Sequence, residues 1–178
     1  MKTRLFVTAS FMAALCCITT FAVRIPAPVQ GYIHPGDGMV LLCSLLLPPL
    51  WGAAAAGLGS ALADLLAGYA HYAAVTFIIK ALMPLICGFL FRYALRFTAK
   101  RVLPFVLGAM AAECWMLAGY FIFAVCLTGK TPALAALPLN AAQGVFGCVT
   151  GAALFSVIRR NPGMRLYLYH WKGDLFYD

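Results

Sequence analysis

The chain has 178 residues, 64% of them hydrophobic and only 10% charged, with a mean hydropathy of +0.92; a soluble domain carries about 25% charged residues. A spanning helix needs about 20 largely apolar residues, so this length holds about five to seven helices, and one membrane domain without a sizeable soluble domain is expected. The formal net charge of +8 does not point to nucleic acid, because the basic residues fall between apolar runs, where they set topology and meet anionic lipid.

Polar and Pro/Gly punctuation divides the apolar runs. The first helix is expected over 5–23. Its basic start (Lys2, Arg4) invites comparison with a signal peptide, but no small-x-small cleavage site follows, and a retained helix is the reading taken. A polar, proline-bearing stretch, 24–38 (RIPAPVQGYIHPGDG), comes next. A short second helix over 39–47 stops at Pro48-Pro49, and Asp37 between two glycines reads as its N-cap. A third helix over 50–67 carries Gly52, Ala56, Ser60, Asp64 and Gly68 every fourth residue, a small-residue packing face. A loop over 68–72 leads to a fourth helix over 73–97, and a fifth spans 102–127. Gly129-Lys130-Thr131-Pro132 breaks the chain before a sixth helix over 139–158, in which Gly147 and Gly151 form a GxxxG. Residues 1–158 thus read as one all-α, six-helix membrane domain, and 159–178 as a basic, aromatic tail. The seven cysteines all lie in apolar runs without CxxC spacing, so they imply neither disulfides nor zinc.

Six crossings place both termini on one side. That side holds Lys2, Arg4, Arg92, Arg96, Lys100, Arg101, Arg159, Arg160, Arg165 and Lys172, and the other only Arg24 and Lys130. Positive charge marks the cytoplasmic side, so both termini are expected there and the stretches 24–38, 68–73 and 128–138 outside. The outward set carries Tyr32, His34, Asp37, Tyr69, His71, Tyr72 and Asn140, aromatic faces and hydrogen-bonding groups suited to a solute. Asp64, Lys80 and Glu113 are ionisable groups inside apolar helices, a functional hypothesis by default. Asp64 and Lys80 are expected to meet across the third and fourth helices, as a structural ion pair or as ligand contacts. Glu113 has no evident partner. Trp115 and Tyr120 add rings for stacking, and Gln143 adds a polar edge. The spacing of His34, Asp37 and His71 fits no metal motif, and no cofactor is implied. GxSxG, HExxH and P-loop motifs are all absent, so no enzyme activity is expected, and energy for uptake would have to come from a gradient or from partners.

The stretches GYIHPGDGMVLL and PPLWGAAAAGLGSALADLLAGYAHYAAVTFIIKAL resemble the S components of energy-coupling factor (ECF) transporters, closest to the riboflavin type. Ala63 to Tyr69 (ADLLAGY) and Thr76 to Lys80 (TFIIK) carry the likeness, with Ala81 where a Gly often follows the Lys. The resemblance implies a compact bundle in the cytoplasmic membrane of a bacterium or archaeon. It would bind a vitamin-like micronutrient under its outward loops, with Thr76 among the contacts, and dock on a transmembrane T subunit carrying two ATPases. An AxxxA surface on the first helix, here Ala9 and Ala13, would face the T subunit. Cargo candidates are riboflavin, a B6 vitamer, a thiamine precursor or a deazapurine. A stand-alone transporter, which duplicated halves would favour, and a membrane enzyme built on His34, Asp37 or His71 are the competing readings.

Overall fold

The computed structural model describes residues 2–22, 25–26, 32–98 and 101–161. In chain order these form α1 (Lys2–Ala22), β1 (Ile25–Pro26), β2 (Tyr32–Ile33), α2 (Asp37–Leu46), α3 (Pro49–Leu66), α4 (Ala70–Ala94), α5 (Val102–Thr128) and α6 (Lys130–Arg160). The six expected helices are present, with one small addition: β1 pairs antiparallel with β2, Ile25 opposite Ile33 and Pro26 opposite Tyr32. Five helices are long and apolar enough to cross a membrane. The exception is α2, whose 10 residues reach about 15 Å at 1.5 Å per residue, half of a hydrocarbon core of about 30 Å.

Contacts fix the helix directions. Along α4 and α5, Tyr72 meets Phe123, Thr76 meets Tyr120, Ile79 meets Trp115 and Cys87 meets Gly108. Numbers rise on one helix as they fall on the other, so the two are antiparallel. Helix α2 runs in the same sense as α4, with Asp37 beside Lys80 and Ser44 beside Gly88, and in the same sense as α6, with Gly38 beside Thr150 and Leu41 beside Gly151. Helix α1 runs with α3, Phe6 against Trp51 and Ala13 against Gly59. The start of α1 and the end of α6 therefore lie at the same end of the bundle.

Asp37 is level with Lys80, which is ten residues past the start of α4. Helix α2 thus begins in the middle of the bundle, and the segment 32–36 descends to it from the end where α4 begins. Non-helical backbone at such depth survives only where protein surrounds it; Gly36, Asp37 and Gly38 are all buried. Below this point α2 is buried on every side, with Val40, Leu41 and Cys43 inaccessible. Phe91, Phe105 and Phe155 close the core beside it, at ring separations of 6.3, 5.8 and 4.9 Å. Lipid is as apolar as these side chains, so close packing rather than water exclusion holds the helices together. The glycines of α3 serve three neighbours: Gly52 lies against the Cys43 carbonyl of α2, Gly57 against Phe77 of α4, and Gly59 against Ala13 and Cys16 of α1.

Turn chemistry sets the boundaries. Leu47 is extended (φ −127°, ψ 152°), as expected of a residue before proline, and Pro49 opens α3 at a position where its missing N–H costs nothing. At the other end of α3, Tyr69 N–H bonds to Asp64 C=O at 2.9 Å and Gly68 N–H to Leu65 C=O at 3.2 Å. This double closure is a Schellman cap, and it needs a left-handed residue, here Gly68 at φ 84°.

Three expectations are corrected. Helix α4 starts at Ala70, so His71 and Tyr72 belong to its first turn rather than to a loop, because nothing after Gly68 breaks a helix. Helix α6 starts at Lys130, so the outward stretch 128–138 is helical; Gly129 alone (φ 88°) reverses the chain, and Pro132 falls in the first turn, where proline is tolerated. Asp37 does not cap α2, since it is already the first helical residue and makes no capping bond. Ala9 is buried, and the Ala13 backbone lies against Gly59 of α3. The tail from 162 onward lies outside the described residues.

Nothing lies within 4 Å of a Cβ placed on Gly68, so Gly68→Ala tests the backbone alone. It is expected to lower stability by about 1–2 kcal/mol, the cost of a left-handed L-residue, read as a lower melting temperature in detergent. An unchanged value would show that the turn accepts another conformation.

Candidate functional site

The interior polar groups gather where α2 begins. Lys80 of α4 forms a salt bridge with Asp37 Oδ1, and both side chains are fully buried. Gln143 Nε2 of α6 donates to Asp37 Oδ2 at 2.7 Å. One carboxylate thus ties α2, α4 and α6 together. It also sits in the first turn of α2, where the helix dipole favours negative charge. Lys80 Nζ lies 5.6 Å from the centre of the Tyr120 ring, within cation–π range. Pro84 is inside α4; its missing N–H removes the helical bond to the carbonyl of Lys80.

Lys80 pairs with Asp37 and not with Asp64. The earlier start of α4 carries Lys80 about 15 Å along that helix, below the level of Asp64, and the descending segment delivers Asp37 to it. Asp64 is itself buried near the end of α3.

Glu113 of α5 lies on the other side of this base. Its side chain is 6% exposed, and neither carboxyl oxygen has a hydrogen-bond partner among the described residues. It fits into a glycine face of α6. A Cβ on Gly144 would stand 3.3 Å from Glu113 Cβ, and one on Gly147 would strike Glu113 and Asp37 together.

From this base a seam of rings and hydroxyls rises between α4 and α5. Tyr120 O–H donates to Thr76 Oγ1 at 3.1 Å. Above it Tyr72 meets Phe123 edge-on at 5.1 Å, and Tyr69 and His71 complete the group, with His71 4.8 Å from Tyr72. Phe123 was not read from the sequence; α5 is apolar all round, so no periodicity marks its inner face. It stands three residues after Tyr120 and ten after Glu113, on the same side of the helix. Trp115 has a different place: its indole N–H donates to the Ile79 carbonyl at 3.2 Å, which pins α5 to α4, and its ring is partly exposed. Asn140 is half-buried one turn before Gln143 on α6. The Tyr32 side chain lies outside the described residues.

His34 ends the descending strand. Its Nδ1 accepts the Gly36 N–H at 3.1 Å, so the neutral ring carries its proton on Nε2. Burial holds this imidazole down to about 4 from an ordinary 6.5, with the Asp37 charge opposing and the Lys80 charge reinforcing the shift.

Among the described residues no nucleophile–base pair accompanies these groups. The arrangement offers a charged, hydrogen-bonding floor and aromatic walls, open in chemistry to a flat polar solute.

The architecture is that of an ECF S component. The structure of the S component of a bacterial ECF transporter matches with a TM-score of 0.72 at 17% identity, over 90% of this chain and 98% of that one. The S component for biotin from an ECF-type ABC transporter matches with a TM-score of 0.60 at 17% identity, over 94% and 96%. The family follows from the sequence: residues 1–160 match the ECF-type riboflavin transporter S component, and the chain belongs to that family of multi-pass membrane proteins. A Pyrococcus woesei protein described as an "uncharacterized protein in gap 3'region" is 35% identical over 147 residues, 82% of this chain and 95% of that one.

Two predictions follow from the geometry. Removing one member of a buried ion pair strands the other and costs about 3–5 kcal/mol, whereas replacing both is far cheaper. Asp37→Ala and Lys80→Met are each expected to lower the melting temperature strongly, and the double variant to recover most of the loss; additive losses would mean the two do not interact. For His34, the unfolded ring takes a proton near 6.5 and the folded ring only near 4, so the unfolded state binds more protons in between. Its contribution to stability is complete above pH 6.5 and is lost as pH falls toward 4. Wild type is expected to lose melting temperature over that window more steeply than His34→Gln; parallel profiles would assign the loss to other groups.

Proposed function

We propose that this chain captures a vitamin-like heteroaromatic micronutrient from outside the cell and delivers it inward as the S component of an ATP-driven ECF importer. The carrying observation is the Asp37–Lys80–Gln143 base at mid-depth, below the aromatic seam that α4 and α5 form together. A flat ring lies against the face that Tyr72 and Thr76 of α4 and Tyr120 and Phe123 of α5 form together. Its polar edge meets Lys80, Glu113, Asn140 and Gln143, while His34, Asp64, Tyr69 and His71 line the approach. Riboflavin is the first candidate, on the strength of the family.

Orientation supports loading from outside. Arg4, Arg92, Arg96, Arg101, Arg159 and Arg160 stand at the end where α1 begins and α6 finishes, and Lys130 at the other. The positive-inside rule makes the first end cytoplasmic and turns the aromatic seam outward. The chain has no P-loop motif, so ATP hydrolysis falls to two ATPases acting through a T subunit.

Native mass spectrometry of the purified protein is expected to release a vitamin-sized heteroaromatic that Lys80→Met no longer retains. Sustained uptake in cells is expected only when T and ATPase subunits are co-expressed. A protein that releases no solute, and whose melting temperature is unmoved by riboflavin, pyridoxine, thiamine or nucleobases, would sink the proposal.

A further inference from the structure

Glu113 is built into the interior at a cost that no described residue offsets. It is buried, neither carboxyl oxygen meets a donor among the described residues, and the donors closest in the site, Lys80 and Gln143, turn to Asp37. Two glycines of α6 clear the space that it fills. Buried polar groups are almost always satisfied, and an ionisable group at membrane depth is retained for function rather than for packing. A carboxyl group that accepts from no described donor, beside the floor of a ligand seam, calls for a donor on the ligand.

We infer that Glu113 is the specificity-determining residue of the site, and that it accepts a hydrogen bond from an N–H on the edge of a heteroaromatic cargo. The inference rests on the capture reading above and narrows it to rings that present such an N–H. Successive turns of α5 toward the loop end carry Met116, Tyr120 and Phe123, so a ring lying along this face brings its leading edge to Glu113. A carboxyl oxygen accepts whether or not its partner oxygen holds a proton, so the recognition needs only the N–H.

The test is a cycle between protein and ligand, run on the full chain in detergent. Riboflavin and guanine are each compared with the analogue methylated at the pyrimidine-ring N–H, N3 of riboflavin and N1 of guanine, against wild type, Glu113→Gln and Glu113→Leu. Gln keeps an acceptor oxygen, and Leu removes it. Wild type is expected to bind the parent compound of at least one pair at least tenfold more tightly than its methylated form. That ratio corresponds to about 1.4 kcal/mol, the size of one hydrogen bond. Glu113→Gln keeps the preference within about threefold, and Glu113→Leu loses it by weakening the parent alone. Without ligand, Glu113→Leu is expected to melt no lower than wild type, because it removes an unsatisfied polar group; a residue with a merely structural role would melt lower. Equal discrimination in wild type and Glu113→Leu overturns the inference. Binding of neither pair also overturns it, and the capture reading falls with it only if the purified protein releases no solute.

Discussion

The architecture turns on one buried ion pair. Lys80 sits about 15 Å along a spanning helix, where an unpaired ammonium would be costly. Its counter-ion must therefore be brought to mid-depth, and the only described carboxylate bonded to it is Asp37. That requirement explains why α2 is a half-helix. The chain descends as extended segment, turns helical at Asp37 and continues to the far end packed between α4 and α6. Gln143 takes the second oxygen of Asp37, and Gly147 lies against the Asp37 Cβ without a side chain of its own. Changing any one of these groups strands another.

The pair also divides the bundle into two unlike halves. On one side, α2 and the Phe91, Phe105 and Phe155 cluster form a closed apolar core. On the other, hydroxyls and rings line the α4–α5 seam. A channel needs a polar path through both halves. The capture proposed above needs one approach and a firm floor.

Much of this was legible in the sequence, and the failures have identifiable causes. Helix number, the Gly68 turn and the importance of Lys80, Asp37 and Gln143 could be read because polar residues stand out in apolar runs. The pairing of Lys80 could not. Asp37 between Gly36 and Gly38 looks like a surface cap, and only the depth of α2, a tertiary property, turns it inward. The start of α6 was misplaced because Pro132 and Pro138 look like breakers, whereas one lies in a first turn and the other is accommodated within the helix. Phe123 was invisible because a helix apolar on every side has no periodicity to mark its inner face.

Asp37 has two connections that cannot be separated. It begins α2 and so anchors the 32–36 segment, and it neutralises Lys80 at the floor of the seam. On the capture proposed above, any displacement of that segment alters the charge presented to a solute, and any solute group that competes for Lys80 loosens the segment. His34, bonded to the Gly36 backbone two residues away, stiffens the same link. With so much of the floor fixed by internal pairing, Lys80 and Gln143 have little freedom to distinguish one ring from another. Structures of this fold share 17% identity with the chain, so the shape survives wide change in the residues that fill it. Discrimination must then come from groups that the fold does not need for itself, and in the buried floor Glu113 is the carboxyl group that meets that description.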